Sequence, residues 1–174
     1  MPLERLIFEL ASLKSVPRSG WLKVGIENPE SVAEHSFLSA VIAFFLGLME
    51  YGNLDDASKC GIAALFHDST EARTLDLHKL AKMYVDVDTE KAFDDQMDFE
   101  EARVLRDMLE RYGDIVHDAD KLELYVQSRI YGLRNSDAEL FGRNIELKTS
   151  SGQSLYRMLE NADPRWWMEF EVRG

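Results

Sequence analysis

His67, Asp68 and Glu71 close an apolar run over residues 61–66, and groups of that kind need a reason to be there. Burying a titratable side chain costs several kcal/mol unless it is paired, hydrogen-bonded or bound to metal. Spacings of four and three place His67, Asp68 and Glu71 on one helical face. His35 stands in the first turn of a second apolar helix and, at about 100° per residue, projects close to Ile42 and Leu46. Asp120, on a third helix, aligns with Val116, Leu124, Gln127 and Tyr131, a semi-buried face. Two imidazoles and two carboxylates from three helices make a mixed nitrogen and oxygen ligand set. It suits Mn²⁺, Fe²⁺, Co²⁺, Ni²⁺ or Zn²⁺ better than Ca²⁺, which takes oxygen. Such a metal lowers the pKa of a bound water from about 15.7 towards about 7 and polarises a phosphoryl oxygen. Glu71 could deprotonate that water or protonate the leaving oxygen. Arg18 could grip a phosphate with its planar fork of donors.

Taken singly, several of these residues have plainer roles. A lone inward histidine is a hydrogen-bonded core residue, and Arg18 is a solvated side chain of its loop. Ser31 and Glu34 match a capping box, which gives Glu34 a structural job. The acidic run Asp94, Asp95, Asp98, Glu100 and Glu101 is a solvated face. A second pair, His117-Asp118, competes with the first. On a helical wheel Asp118 falls on a polar edge with Lys121, Tyr125 and Arg129, and His117 reads as a surface residue. Asp120 is therefore the carboxylate expected to need a buried partner.

These side chains must be positioned by helices. The four prolines leave residues 30–163 free of helix breakers, and three-four spacing recurs there without clean two-residue alternation. The expectation is an all-α fold, a helical bundle around one apolar central helix, with residues 1–174 as a single domain. Helices are predicted over residues 3–13, from residue 31 to about residue 50, from residue 53 or 55 through His67 and Asp68 to Glu71, over 88–112, over 114–134 and over 153–161. A long loop, residues 15–30, carries Arg18 and Trp21, and loops of that length are often functional. The helix after residue 31 is apolar except for a narrow strip of Ser36, Ser39, Ala43, Gly47 and Glu50, so it reads as a buried core helix. Trp166 and Trp167 read as closing a core or a dimer contact.

The net charge of −12 argues against a nucleic-acid groove or an anionic membrane partner. An anionic small molecule fits only if a metal or local Arg and Lys reverse the sign at the site. The apolar run 37–49 is shorter than a bilayer span, and residues 3–9 lack a secretory core. A single cysteine, Cys60, fits a reducing cytoplasm.

The motifs Val16-Pro17-Arg18-Ser19-Gly20-Trp21, Glu30-Ser31-Val32-Ala33-Glu34-His35, His67-Asp68 followed by Glu71, and Ala119-Asp120-Lys121-Leu122-Glu123 resemble the HD-domain 5′-deoxynucleotidases. The likeness covers most of the chain up to about residue 134. It implies an all-α, metal-dependent hydrolase of deoxynucleoside 5′-monophosphates, with His35, His67, Asp68 and Asp120 as metal ligands and Glu71 as general acid or base. It further implies Arg18 as a phosphate clamp, Asp76 as a second polar group beside the nucleotide, Trp21 facing the sugar, and a homodimer. Bacterial members place the tryptophan directly after the arginine, and many members have Gly-Asp where this chain has Leu75-Asp76. Ala72 after Glu71 departs from the alarmone hydrolases of the superfamily, and no set of further histidines supports a second metal, so one metal is expected. Other readings are an HD phosphohydrolase acting on pyrophosphorylated or cyclic nucleotides, and a non-catalytic nucleotide- or metal-binding scaffold.

Overall fold

The capping box predicted at Ser31 starts the helix that organises the fold. Ser31 Oγ accepts from the Glu34 amide at 3.2 Å, and the Glu34 carboxylate accepts from the Ser31 amide at 2.7 Å. In this computed structural model, which describes residues 2–170, every regular element is helical. The helices are α1 (Leu3–Ala11), α2 (Ser19–Leu22), α3 (Val32–Tyr51), α4 (Leu54–Phe66), α5 (Glu71–Thr74), α6 (Thr89–Gln96), α7 (Arg103–Arg111), α8 (Gly113–Gly132) and α9 (Ser150–Glu160). Short 3₁₀ turns join several of them. The core lies where α3, α4 and α8 meet and includes Ile42, Leu46, Ala63, Ile115, Ala119 and Leu122.

The narrow strip on α3 faces inward. Ser36, Ser39, Ala43 and Gly47 are buried, and a Cβ on Gly47 would sit 2.8 Å from Ala57 Cα and 3.0 Å from Cys60 Sγ. Small side chains let the α3 and α4 backbones approach closely, and that contact holds the two site histidines at a set distance. Gly47→Ala should therefore destabilise the protein by about 1–2 kcal/mol, overpacking strain outweighing the gain in helix propensity. A urea midpoint unchanged or raised would show that the interface can give.

The opposite face of α3 departs from the expectation of a fully buried helix. Phe37 is 65% and Phe45 54% exposed, and Val41 and Met49 are also exposed. The reason is architectural: α4, α8 and α9 cover only part of the circumference, and no described element packs on the remaining arc. By length and composition α3 could cross a membrane, yet 44% of its most apolar window is buried in the protein.

Four further expectations are corrected. The helix predicted over 88–112 is broken: α6 ends at Gln96, and Phe99 is extended before α7 begins. Burial of Met97 and packing of Phe99 against the Leu6 cluster outweigh continuous helical periodicity. Asp118 lies not on a polar edge but fully buried, accepting from the Lys148 and Thr149 amides at 2.8 Å and from Thr149 Oγ1 at 2.7 Å. The segment leading into α9 folds over α8, which a wheel drawn on α8 alone cannot show. The loop over 15–30 contains α2 and is pinned to the start of α3. Arg18 N donates to Glu30 O at 2.9 Å, and Val32 N donates to Val16 O at 2.8 Å. Those two bonds place Arg18 over the first turn of α3, above His35. Trp166 and Trp167 are exposed, and neither closes a core.

Candidate metal and phosphate site

Each site residue sits where an element begins, ends or crosses the core. The first turn of α3 supplies His35. The single helix expected to end in His67, Asp68 and Glu71 is broken: α4 stops at Phe66, and the following turn carries His67 and Asp68 before α5 opens at Glu71. The middle of α8 supplies Asp120. Three of these converge: ligand atoms of His35, His67 and Asp68 lie within 4.8 Å of one another. Asp68 Oδ2 is 3.2 Å from His67 Nε2 and 3.6 Å from His35 Nε2, and Asp120 Oδ1 is 3.3 Å from His35 Nε2.

The two imidazoles present the same side to this point. His67 Nδ1 lies 2.6 Å from the Ala64 carbonyl, which can only accept, so Nδ1 carries the hydrogen. His35 Nδ1 lies 2.5 Å from Glu123 Oε2, another acceptor when ionised. Both Nε2 atoms are buried without a hydrogen-bond partner. Two buried imidazole nitrogens without hydrogen-bond partners, facing two carboxylates, are costly unless something binds there. That donor set fits a divalent cation, as metal-ligating histidines commonly anchor their second nitrogen in this way.

The electrostatics agree. Burial disfavours a charged Asp120, but His35, Lys121 and His67 together hold its carboxyl far below the usual range. Asp68 is likewise held low, as His67 and Arg18 overcome burial. Burial also works against a charged His35, yet Asp120 and Glu123 push its pKa up to about 9, the signature of an imidazole surrounded by negative charge. Glu71 goes the opposite way: burial first, then Asp68 and Asp76, raise its pKa to about 8. Its Oε2 is buried without a partner. One carboxyl kept protonated beside two kept ionised is an arrangement that can hold a cation and still donate a proton.

Arg18 is not a solvated side chain. Its Nη1 lies 3.2 Å from Asp68 Oδ2 and 3.4 Å from Asp76 Oδ1, and its Nη2 lies 3.8 Å from Asp120 Oδ1. Asp76 Oδ2 accepts from the Ser19 amide at 2.5 Å, so Asp76 ties the Arg18 loop to the site. The residue before it, Leu75, has φ 63° and ψ 164°, a backbone region that favours glycine. Leu75 is largely exposed, so Leu75→Gly should relieve about 1–3 kcal/mol of strain against about 1 kcal/mol of added chain entropy. A modest rise in thermal midpoint is expected; a fall would show the conformation to be unstrained.

Trp21 is buried, with Nε1 donating to Glu30 Oε1 at 2.9 Å and its ring against Tyr131 and Phe141. It still forms part of a cleft of about 550 Å³ that contains Arg18, Asp68, Glu71, Asp76 and Asp120 at one end. Leu77, Leu80, Leu124, Leu140 and Phe141 give the cleft an apolar side, while Lys23, Lys79, Lys82, Lys121 and Arg143 surround it. This acidic chain has thus reversed its charge locally, as an anionic ligand requires. A larger cavity, about 750 Å³ between α8 and the end of α9, holds none of the converging residues, so volume is no guide here. His117 bonds the Glu146 carbonyl at 3.1 Å, outside the cluster. The ring of lysines, Glu30 and Glu123 were not singled out from the sequence. For Glu123 a signal existed, since it stands three residues after Asp120 and so shares a face with it.

The fold and this centre define a class, an all-α protein whose histidines and aspartates could hold a divalent metal beside a phosphate-sized, cationic cleft. The chain belongs to the HD-domain family, whose profile matches residues 10–159, a family of metal-binding phosphohydrolases. Among curated relatives, 5′-deoxynucleotidase HDDC2 of Mus musculus is 35% identical over 69 residues, covering 40% of this chain and 33% of that protein. The 5′-deoxynucleotidase hdd1 of Schizosaccharomyces pombe is 33% identical over 63 residues, covering 36% and 30%. The matched stretch thus spans about a third of the curated relatives' length. The crystal structure of a genomics target, APC5600, is 46% identical with a TM-score of 0.87, covering 95% of this chain and 98% of that one. The predicted coding region AF1432 of Archaeoglobus fulgidus is 41% identical with a TM-score of 0.69 and the same coverage.

Proposed function

We propose that this protein is a metal-dependent phosphohydrolase that removes the 5′-phosphate from (deoxy)nucleoside monophosphates. The observation that carries the reading is the pair of unpartnered Nε2 atoms converging on Asp68 and Asp120, with protonated Glu71 and Arg18 at the same end of one cleft. The names of the partial relatives support the substrate class.

His35, His67, Asp68 and Asp120 would hold one divalent cation, drawn from Co, Mn, Fe, Ni or Zn. Bound there, it would supply positive charge to the phosphoryl group and acidify water. Arg18 would leave its carboxylate contacts and take two phosphate oxygens in a bidentate grip. Asp76 would keep the Arg18 loop at the right height through Ser19. Glu71, protonated by its surroundings, would give its proton to the departing 5′ oxygen, which otherwise leaves as a poor alkoxide. The apolar side of the cleft, with the edge of Trp21, would take sugar and base, and the lysines would draw the anion in. Hydrolysis of a nucleoside monophosphate consumes water and yields nucleoside and inorganic phosphate.

A metal-reconstituted protein assayed against a panel of nucleotides tests this. Phosphate release from monophosphates is expected; pyrophosphate or triphosphate release would point instead to the pyrophosphorylated substrates. Tight nucleotide binding without turnover would leave only a scaffold. The reading places the protein in the cytoplasm, acting on a small molecule and on neither nucleic acid nor membrane.

The homodimer belongs to the same proposal, and the exposed arc of α3 is the face that fits it. Phe37, Val41, Phe45 and Met49 continue onto Ile62 and Leu65 of α4, joined where Gly61 meets Ala40 and Phe44. These six exposed side chains are uncharged and contiguous across two helices, as the core of a standard interface of ~800 Å² per partner requires. A second copy brings an equally uncharged face, whereas an anionic bilayer would repel a chain of net charge −12. Phe45→Glu should halve the mass seen by light scattering. An unchanged mass, or wild-type protein that is monomeric and sediments with anionic vesicles, would refute this surface.

A further inference from the structure

We infer that Glu123 is a positioning residue for the metal centre: it holds His35 in the single tautomer and ring orientation that can ligate a metal. The inference rests on the metal-ligand reading of His35 given above.

The geometry is specific. Glu123 is 1% exposed and sits on α8 one turn after Asp120, with Oε2 2.5 Å from His35 Nδ1. Helix α8 therefore contributes twice to one histidine: Asp120 from the Nε2 side at 3.3 Å and Glu123 from the Nδ1 side. With the glutamate oxygen accepting, the hydrogen of this contact lies on Nδ1, which leaves Nε2 as the nitrogen that can offer a lone pair to a metal. A negative charge on the far nitrogen also raises the basicity of the near one. His67 obtains its tautomer from a neutral carbonyl, that of Ala64, so the two histidines are anchored by different means.

The cost of this arrangement shows that stability alone does not account for it. Glu123 Oε1 is buried without a partner, and an apolar side chain of similar volume would avoid that desolvation. Around Glu123 a second carboxyl completes the support. Oxygens of Glu30 and Glu123 lie with a His35 nitrogen in a group within 4.8 Å. Glu30 is held by Trp21 Nε1 at 2.9 Å, and its own amide donates to Tyr131 Oη at 2.8 Å. Trp21, in the cleft, holds Glu30, and Glu30 stands beside Glu123 and His35, which gives this tryptophan a contact other than the sugar.

Glu123→Gln is the test, because the amide keeps the volume but can donate to Nδ1 and shift the hydrogen to Nε2. Chelator competition with Co²⁺ or Mn²⁺ on stripped protein should show metal affinity reduced about 10- to 100-fold. Activity at saturating metal should return towards the wild-type value, a recovery that a merely structural role would not produce. Because the variant could fail to fold, the wild type supplies a second reading. In the metal-loaded protein, ¹⁵N NMR of the His35 ring should show Nδ1 protonated and Nε2 metal-bound. Variant affinity within about twofold of wild type, or a wild-type ring with Nδ1 bare, overturns the inference. If wild type binds metal and either of those results appears, only the positioning role falls. If wild type binds no divalent metal, this inference and the proposed function fall together.

Discussion

Asp68→Ala should abolish both metal retention and phosphate release, the largest effect expected of any single substitution here. Asp68 Oδ2 stands within 3.6 Å of both Nε2 atoms and 3.2 Å from Arg18, so one oxygen serves both histidines and the clamp. Removing it leaves two imidazoles and a guanidinium with less negative charge between them. Loss of several kcal/mol of transition-state stabilisation corresponds to a fall of about 10³-fold or more in kcat/KM. Metal content by plasma spectroscopy and phosphate release measured on the same preparation check the two halves. Wild-type turnover in a variant that folds would end the metal-centred mechanism. Retained metal with lost turnover would assign Asp68 to chemistry and not to binding.

Glu71→Gln should separate those functions in the other direction. Glu71 lies outside the converging group of ligand atoms, so metal content should stay at the wild-type level. Proton transfer by a positioned side chain is worth about 10²–10⁴-fold, and kcat should fall by that amount. Stability should move the opposite way. Burial, Asp68 and Asp76 raise the Glu71 pKa from 4.5 to about 8, with Arg18 and Lys82 only partly compensating. A carboxyl whose folded pKa is raised binds its proton more tightly in the folded state. Its favourable contribution is complete below the unfolded pKa, near 4.5, and is lost as pH rises through about 8. Glutamine cannot ionise and escapes that loss. In protein stripped of metal, the variant should match wild type below about pH 4.5 and exceed it above about pH 8 by up to roughly 5 kcal/mol. Thermal melts across that range check it. A constant offset at every pH would mean that Glu71 ionises freely in the folded state, and the proton-donor role would go with it.

Read together, the two variants distinguish holding a metal from moving a proton. The first should lose metal and turnover, and the second should lose turnover alone while gaining stability in alkali. A stabilising substitution at a site of strained electrostatics is the expected mark of a group kept for function.

Much of this was legible in the residues. Ser31 with Glu34 marked a helix start, and the helix is there. Three-four spacing without alternation marked an all-α fold, and the described residues form no sheet. His67, Asp68 and Glu71 were conspicuous because polar groups interrupt an apolar run, and Asp120 because it shares a face with apolar neighbours. The physics involved is local: a cap bonds residues three apart, and a helical face follows from 100° per residue. Where the reading went wrong, the deciding contact came from elsewhere in the chain. Asp118 looked solvated until the segment before α9 bonded to it. The helix over 88–112 looked continuous until Leu6 and Met97 gave Phe99 a place to pack. The strip on α3 was noticed, but which side of the helix would be covered depended on α4.

The sequence by itself therefore determined the all-α class, the cap at Ser31 and which side chains could be proposed to hold a cation and a phosphate, because those follow from side-chain chemistry and short-range periodicity. Tertiary structure alone decided three things. It set the 3.2–3.6 Å convergence of His35, His67 and Asp120 with Asp68 or with one another. It set the opposite protonation of Glu71 and its neighbours, because pKa shifts depend on burial and on charges from separate helices. It also brought Glu123 behind His35, a contact between residues 88 positions apart that no spacing rule reaches.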